Sequence, residues 1–240
     1  MLHLRIGNQL EQLSNRLIVD LGRPAKSVFD PEPVIVPGMA VARWLSLRMA
    51  QQTGISANIF WQLPADLVWF LFQKILKNVP KTNGFTSDAL VWRIYDAFSD
   101  IQFISKHESL RNYLEEGDPI KRWQLSEKIG QLFEQYLIYR PDWIFEWERK
   151  SINHWQAELW VYLIDKGVAE HWLILQNKML QLLDTDESIL VTLPERINIF
   201  AVPTLSTVYL NMLQVLSRHI DVVVYHNNFT KIHWVWTKSI

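Results

Sequence analysis

The chain has 240 residues, a formal net charge of −1 and no cysteine. That length suffices for one large core or two small ones. The charge supplies no stand-alone electrostatic drive toward nucleic acid or anionic membranes, and the missing thiols exclude disulfides, thiolate metal sites and cysteine nucleophiles.

Hydrophobic residues make up 49% and charged residues 20%, the balance of a folded chain rather than a disordered one. The opening MLHLRIGNQLEQ has no basic stretch leading into a long apolar run, so no signal peptide is expected. No apolar stretch approaches the ~20 residues that span a bilayer, and a cytoplasmic location is expected. Tryptophan is over-used: twelve Trp stand beside eleven Phe and seven Tyr. Trp combines a large ring with a polar N–H and is favoured at interfaces and as a stacking platform. A core is not expected to absorb all twelve.

In chain order, LHLRIG (2–7) reads as a strand and NQLEQLSNRLIVDLG (8–22) as a helix ending at Gly22. PVIVPG (33–38) is a short β-branched run, and the helix after it stops at Gly54. Residues 59–190 carry almost no strand signal, with helices predicted at 64–77, 86–104, 119–139, 142–150, 154–166 and 169–184. RINIFAV (196–202) is a strand, 204–219 a helix with Thr204 or Ser206 placed to cap it, and IDVVVYHN (220–227) a further strand. Strands alternating with helices at both ends predict an α/β fold with a parallel sheet of about four strands, covered on both faces. The expected division is an α/β domain in two parts, 1–58 and 191–240, with a helical insertion at 59–190. The aromatic tail FTKIHWVWTKSI (229–240) after so small a sheet suggests a piece of a longer protein.

The strand-to-helix turn VIVPGMAVARW is where such a fold would hold a nucleotide. A phosphate cradle needs several glycines and a Lys-Ser/Thr pair; here Gly38 is followed by Met39 and Ala40. The seven histidines show no metal-ligand spacing, and there is no GxSxG elbow. Paired acids such as Glu115/Glu116 and Glu146/Glu148 read as solvated helix faces. No catalytic residue, metal site or cofactor is assigned.

Two stretches carry side chains suited to unpaired nucleic acid, which is held by rings stacking on bases and by amide, guanidinium and acidic groups at base edges. In QLFEQYLIYRPDW (131–143), Gln131, Glu134, Gln135 and Ile138 share one helix face and Leu132, Phe133, Tyr136 and Leu137 the other. Pro141 biases Arg140 out of the helical region, so its guanidinium projects from the helix end. An ordinary amphipathic helix with a solvated polar face fits the same pattern. In FWQLPADLVWFLFQKIL (60–76), Pro64 suits a helix first turn, and Trp61 and Trp69 suit either stacking or core packing.

Together VARWLSLRMAQQTGISANIFWQLPADLVWFLF, QLFEQYLIYRPDW and INIFAVPTLSTVYLNMLQVLSRHIDVVVYHN resemble the N-terminal part of the RecC family, the gamma subunits of the exodeoxyribonuclease V (RecBCD) helicase–nuclease. The resemblance implies an inactive, RecA-like copy of a superfamily-one helicase domain bearing a helical insertion. It implies a non-catalytic subunit that guides the unwound 3′-ended strand and scans it for the crossover-hotspot (Chi) sequence in double-strand-break repair. RecB-type and RecD-type partners would use ATP and Mg2+, and single strands and duplex ends would be the DNA partners. Position by position, Leu63, Trp69, Leu132, Gln135 and Arg140 match channel residues of the family, and Glu134 replaces an aspartate. Pro37, Met39 and Arg43 stand where polar Gln or Thr is usual, Gln131 replaces an acid, and Ile174 falls near an expected basic residue. Arg43 is kept with the candidate DNA-binding set. The rival reading is a scaffold whose aromatic-rich helices dock a motor subunit without touching DNA.

Overall fold

The computed structural model describes residues 1–23, 30–114, 118–149, 154–166 and 170–228. The tail 229–240, with its two tryptophans, and the acid pair Glu115/Glu116 lie outside these residues. The chain divides into two compact units, 1–77 with 179–240 and 78–178.

The first unit holds a five-stranded, all-parallel sheet ordered β1-β5-β4-β2-β3. The strands are β1 (Leu2–Gly7), β2 (Glu32–Ile35), β3 (Ile59–Gln62), β4 (Arg196–Phe200) and β5 (Asp221–Asn227). β1 registers Leu2 on Val222 and Gly7 on Asn227. Helices α1 (Leu10–Leu21) and α2 (Met39–Thr53) follow β1 and β2. They cover one sheet face through Leu13, Leu17, Ala42 and Leu45, packed on Val34, Val36, Phe200, Val223 and Tyr225. A Cβ on Gly7 would lie 3.0 Å from Leu13 Cγ, so the bare glycine lets α1 approach the strand closely. α2 stops where expected, because Gly54 takes φ +81° and its N–H caps Ala50 O at 2.9 Å.

β3 is an unanticipated fifth strand. It is only four residues long, IFWQ, sits at the sheet edge and runs straight into Pro64. So short an apolar run next to a helix gives no period to read. α3 (Pro64–Ile75) then buries Leu67, Val68, Leu71, Phe72 and Ile75, while Trp69 and Phe70 are half-buried. α11 (Thr207–Leu216), capped by Ser206 Oγ accepting from Tyr209 N, links β4 to β5. The β2-to-β3 and β4-to-β5 crossovers leave neighbouring strands in opposite directions across the sheet. Right-handed connection then sets α2 and α11 on opposite faces, and the crevice of such a fold opens at the carboxyl ends of β2 and β4. There Gly38 precedes α2 in extended backbone, and Ala201 is held at φ +50° with its N–H on Tyr225 O at 2.8 Å. At the amino ends, a groove of about 980 Å³ is lined by charges of both signs, including Lys74, Arg218, Asp221 and the Glu32–Arg196 pair.

The second unit is helical among its described residues. It contains α4 (Ser87–Ala97), α5 (Ile101–Ile104), α6 (Glu108–Leu114), α7 (Pro119–Tyr139), α8 (Pro141–Glu148) and α9 (Trp155–Asp165). α10 (Trp172–Thr185) begins in this unit, and a 3-10 turn over Glu187–Thr192 follows it. α4 and α7 pack closely enough that a Cβ on Gly130 would lie 3.1 Å from Ser87 O. Trp160 is fully buried between Phe85, Phe133 and His171. Glu148 is not the solvated acid that the sequence suggested. It accepts from Trp160 Nε1 at 3.1 Å and bonds His171 Nε2 at 2.7 Å, and His171 has no solvent exposure. Glu148 caps an aromatic core, a role that depends on α9 and α10 and leaves no local pattern.

Among the ten described tryptophans, Trp147, Trp160 and Trp172 are buried and Trp92 and Trp123 are exposed, with the other five half-buried. The core does not absorb them all.

Candidate nucleic-acid interface

The candidate residues fall into both units. Arg43, Leu63 and Trp69 belong to the first, and Leu132, Glu134, Gln135 and Arg140 to the second.

In the first unit, Leu63 is the residue before α3, extended at φ −84° and ψ 160°, and its N–H donates to Asp66 Oδ2 at 3.3 Å. Pro64 fixes the first helical φ, so the chain turns sharply from β3 into α3. Trp69 lies one and a half turns on, its ring edge-on to Phe72 with centroids 5.8 Å apart. This contact fixes the indole while leaving part of it in solvent. Trp61, also half-buried, differs in packing against the cluster beneath α1 and α2. Arg43 stands exposed one turn into α2, on the helix that rises from Gly38. Nearby on that helix, Arg48 is already engaged, stacked over Trp44 and bonded to Asn15 Oδ1 at 2.9 Å.

In the second unit, α7 divides as its 3.6-residue period predicts. Phe133 and Leu137 have no exposure, Leu132 and Tyr136 are half-buried, and Gln131 and Gln135 are exposed. Phe133 meets Trp160 at 5.3 Å and 87°, and Tyr136 meets Trp143 and Trp147 at 5.4 and 5.6 Å. These edge-to-face contacts lock α7 against α8 and α9, so Gln135 and half-exposed Glu134 are presented on a rigid rod.

Arg140 closes α7 and opens α8 at φ −135° and ψ 54°, outside the helical region as Pro141 requires. Its guanidinium does not extend freely. Nε donates to Asp142 Oδ1 at 3.0 Å and Nη2 to Asp142 Oδ2 at 2.7 Å, while Cζ sits 3.6 Å from the Trp143 ring centroid. The Asp142 carboxylate raises the guanidinium's proton affinity, and Arg140 in turn holds Asp142 below the usual carboxylate range. Arg-Pro-Asp-Trp is therefore one folded unit: proline sets the turn, aspartate grips the fork, and tryptophan carries the planar face. The Nε–Nη2 edge is thus taken, while three of the five N–H groups, two on Nη1 and one on Nη2, remain for a further acceptor. The aspartate two residues beyond Arg140 was the sequence signal for this pairing. Tyr139, next to Arg140, exposes most of its ring and joins the candidate set on structural grounds.

No helix among the described residues is long and apolar enough to cross a membrane. The fold and these side chains define an all-parallel α/β protein with an accompanying helical unit, whose solvent-facing candidates are rings, amides and guanidinium groups. Comparison with known proteins gives the particular family. The profile of the RecC N-terminal domain matches residues 2–239, and the chain belongs to that family. RecBCD enzyme subunit RecC of Haemophilus influenzae is 33% identical over 95% of this chain and 23% of its own length. Its counterpart in Escherichia coli is 32% identical over 86% of this chain and 20% of its own length. That of Buchnera aphidicola subsp. Acyrthosiphon pisum is 26% identical over 83% and 19%. The chain thus spans about a fifth to a quarter of the length of these curated relatives.

Proposed function

We propose that this chain is the strand-handling part of a non-catalytic subunit in a RecBCD-type helicase–nuclease acting in recombinational repair of double-strand breaks. Family membership over residues 2–239 is the observation that carries the reading. The sheet unit is a RecA-like, superfamily-one helicase-like domain that no longer cleaves ATP, and the helical unit is an insertion in it. Support comes from the parallel sheet with its crevice at the carboxyl ends of β2 and β4, and from a β2–α2 turn with one glycine and no Lys-Ser/Thr pair. RecB-type and RecD-type subunits hydrolyse ATP with Mg2+ and cut the strands. This chain receives the unwound 3′-ended strand and scans it for the crossover-hotspot sequence, and it works in the cytoplasm.

The chemistry assigned to each side chain follows from its setting. Trp69, held edge-on by Phe72, offers one indole face for a base to stack on. Gln135 offers both a donor and an acceptor to a base edge, and Glu134 only acceptors. Arg140 offers a phosphate its Nη1–Nη2 edge, since Asp142 occupies the Nε–Nη2 edge. Leu63 and Leu132 supply apolar walls, and Arg43 a second phosphate contact. Near-neutral overall charge fits a channel whose basic walls come mainly from elsewhere in the assembly.

Titration of the full chain with a labelled single-stranded oligonucleotide tests this. Trp69→Ala is expected to cost ~1–3 kcal/mol, the worth of one stacked ring. Equal affinity for both proteins removes Trp69 from the strand-binding surface.

A further inference from the structure

We infer that the outer face of the α4–α7 helix pair is a docking surface for another protein subunit, one that presents an apolar side chain flanked by Lys or Arg. The inference rests on the proposed membership of a multi-subunit assembly, but it uses none of the residues assigned to the DNA strand.

Trp92 on α4 is 64% exposed and Trp123 on α7 is 37% exposed, and their rings meet edge to face with centroids only 4.7 Å apart. Tyr95 joins them at 6.2 Å from Trp123, and Ile120, one turn before Trp123, is 64% exposed. A neighbouring side chain braces the cluster. Arg122 lies over the Tyr95 ring at 5.3 Å and donates through Nη1 to Ser99 Oγ at 2.9 Å, which ties the start of α7 to the end of α4. Rigid, adjacent Trp, Tyr and Arg side chains form the composition that dominates the centres of protein interfaces. Neither helix needs these rings outside for its own packing, since α4 buries Leu90, Val91, Ile94 and Ala97 and α7 buries Ile129, Phe133 and Leu137.

The surrounding charge selects the occupant. Asp88 and Asp96 lie one turn either side of Trp92, and Glu127 lies one turn beyond Trp123; all three are exposed. Among the described residues none of these carboxylates is in an ion pair. At 3.6 residues per turn, Lys121 and Lys128 stand roughly 140–160° around α7 from Trp123, outside this face. Among the described residues, Arg122 is the cation that touches this cluster, and it is committed to Ser99 and Tyr95. A phosphate backbone laid across the two tryptophans would meet three carboxylates, which is the reverse of the basic groove that single-strand binders build around their rings. A protein surface with an apolar knob and a cationic rim is complementary in both respects.

The test measures binding of the full chain to purified RecB-type subunit, purified RecD-type subunit and a labelled single-stranded oligonucleotide, each separately. The variants are Trp92→Ala and, leaving the rings intact, Asp88→Lys with Asp96→Lys. Both sets lie at exposed positions, and circular dichroism checks that they fold. The expected result is roughly tenfold or greater weakening toward one subunit with either variant and no change toward the oligonucleotide. If the parent chain binds a subunit and both variants bind it equally well, the proposal is wrong while the assembly reading stands. Weaker oligonucleotide binding by Trp92→Ala would make the face a nucleic-acid platform and also overturn it. A parent chain that binds neither subunit defeats the assembly reading itself, and the docking surface with it.

Discussion

Replacing Glu32 with alanine should loosen the sheet unit more than any single surface change. Glu32 opens β2 and takes both Arg196 Nε and Arg196 Nη2, the latter at 2.8 Å, together with Asn198 Nδ2 at 2.6 Å. Side-chain exposure is only 16% for Arg196 and 12% for Glu32. Burial by itself would push the arginine's pKa down, yet the Glu32 bonds and charge more than offset this and raise it. Without Glu32 a largely dehydrated guanidinium loses the carboxylate bonded to it, and the buried Asn198 amide loses its acceptor. Breaking a buried pair costs ~3–5 kcal/mol, and the residual exposure here argues for the lower end, about 3 kcal/mol. Because the chain has two compact units, the change is best read locally, by hydrogen exchange at the β4 amides of Ile197–Phe200. About 3 kcal/mol is roughly a hundredfold faster exchange through opening of the sheet unit. Glu32→Leu combined with Arg196→Met should exchange more slowly than Glu32→Ala alone, since no charge is left buried. A change below about tenfold for Glu32→Ala, or a double variant worse than the single one, would refute this account of the β2–β4 junction.

Three further outcomes are expected. Gly130→Ala should destabilise the helical unit by roughly 1–3 kcal/mol in urea titration, because its new Cβ meets backbone at Ser87 O that cannot swing aside. For Glu148, burial works to raise the pKa, but the His171 and Trp160 bonds outweigh it and hold the carboxyl below the ordinary glutamate value. A depressed carboxylate pKa stabilises fully above the unfolded value and is lost as pH falls through the folded one, so Glu148→Gln should flatten the acid limb of stability below roughly pH 4.3. Asp142→Ala should remove the carboxylate that neutralises Arg140, steepening the slope of log affinity against log salt for a single strand by up to ~0.7.

Period and punctuation made most of the architecture legible. α7 runs Pro119–Tyr139 as its apolar spacing indicates, α3 starts at Pro64, and β5 ends at Asn227. What escaped were elements too short for a period: β3 at the sheet edge, α6 at Glu108–Leu114 and the 3-10 turn at Glu187–Thr192. The expected helix over 86–104 divides into α4 and α5, because Asp100 stops being helical and caps α5 through Gln102 N at 2.9 Å. At the candidate site, local sequence placed Gln135 on the exposed side of α7 and Arg140 at its end. Two facts lay beyond it. Asp142 and Trp143 take up the Arg140 guanidinium, and Glu148 turns inward to a histidine 23 residues away. The exposed Trp92–Trp123 pair was also hidden, since residues 31 positions apart meet only once α4 and α7 pack against each other.

The claim that this chain handles an unpaired strand is tested most directly by photocrosslinking. A single strand carrying a photoreactive thymine analogue is irradiated with the full chain, and the adducts are mapped by mass spectrometry. Adducts at Trp69 and on the Gln135–Arg140 segment, competed away by unlabelled single strand, are the predicted result. Adducts confined to Trp92 and Trp123, or no competed adduct anywhere on the chain, would contradict it.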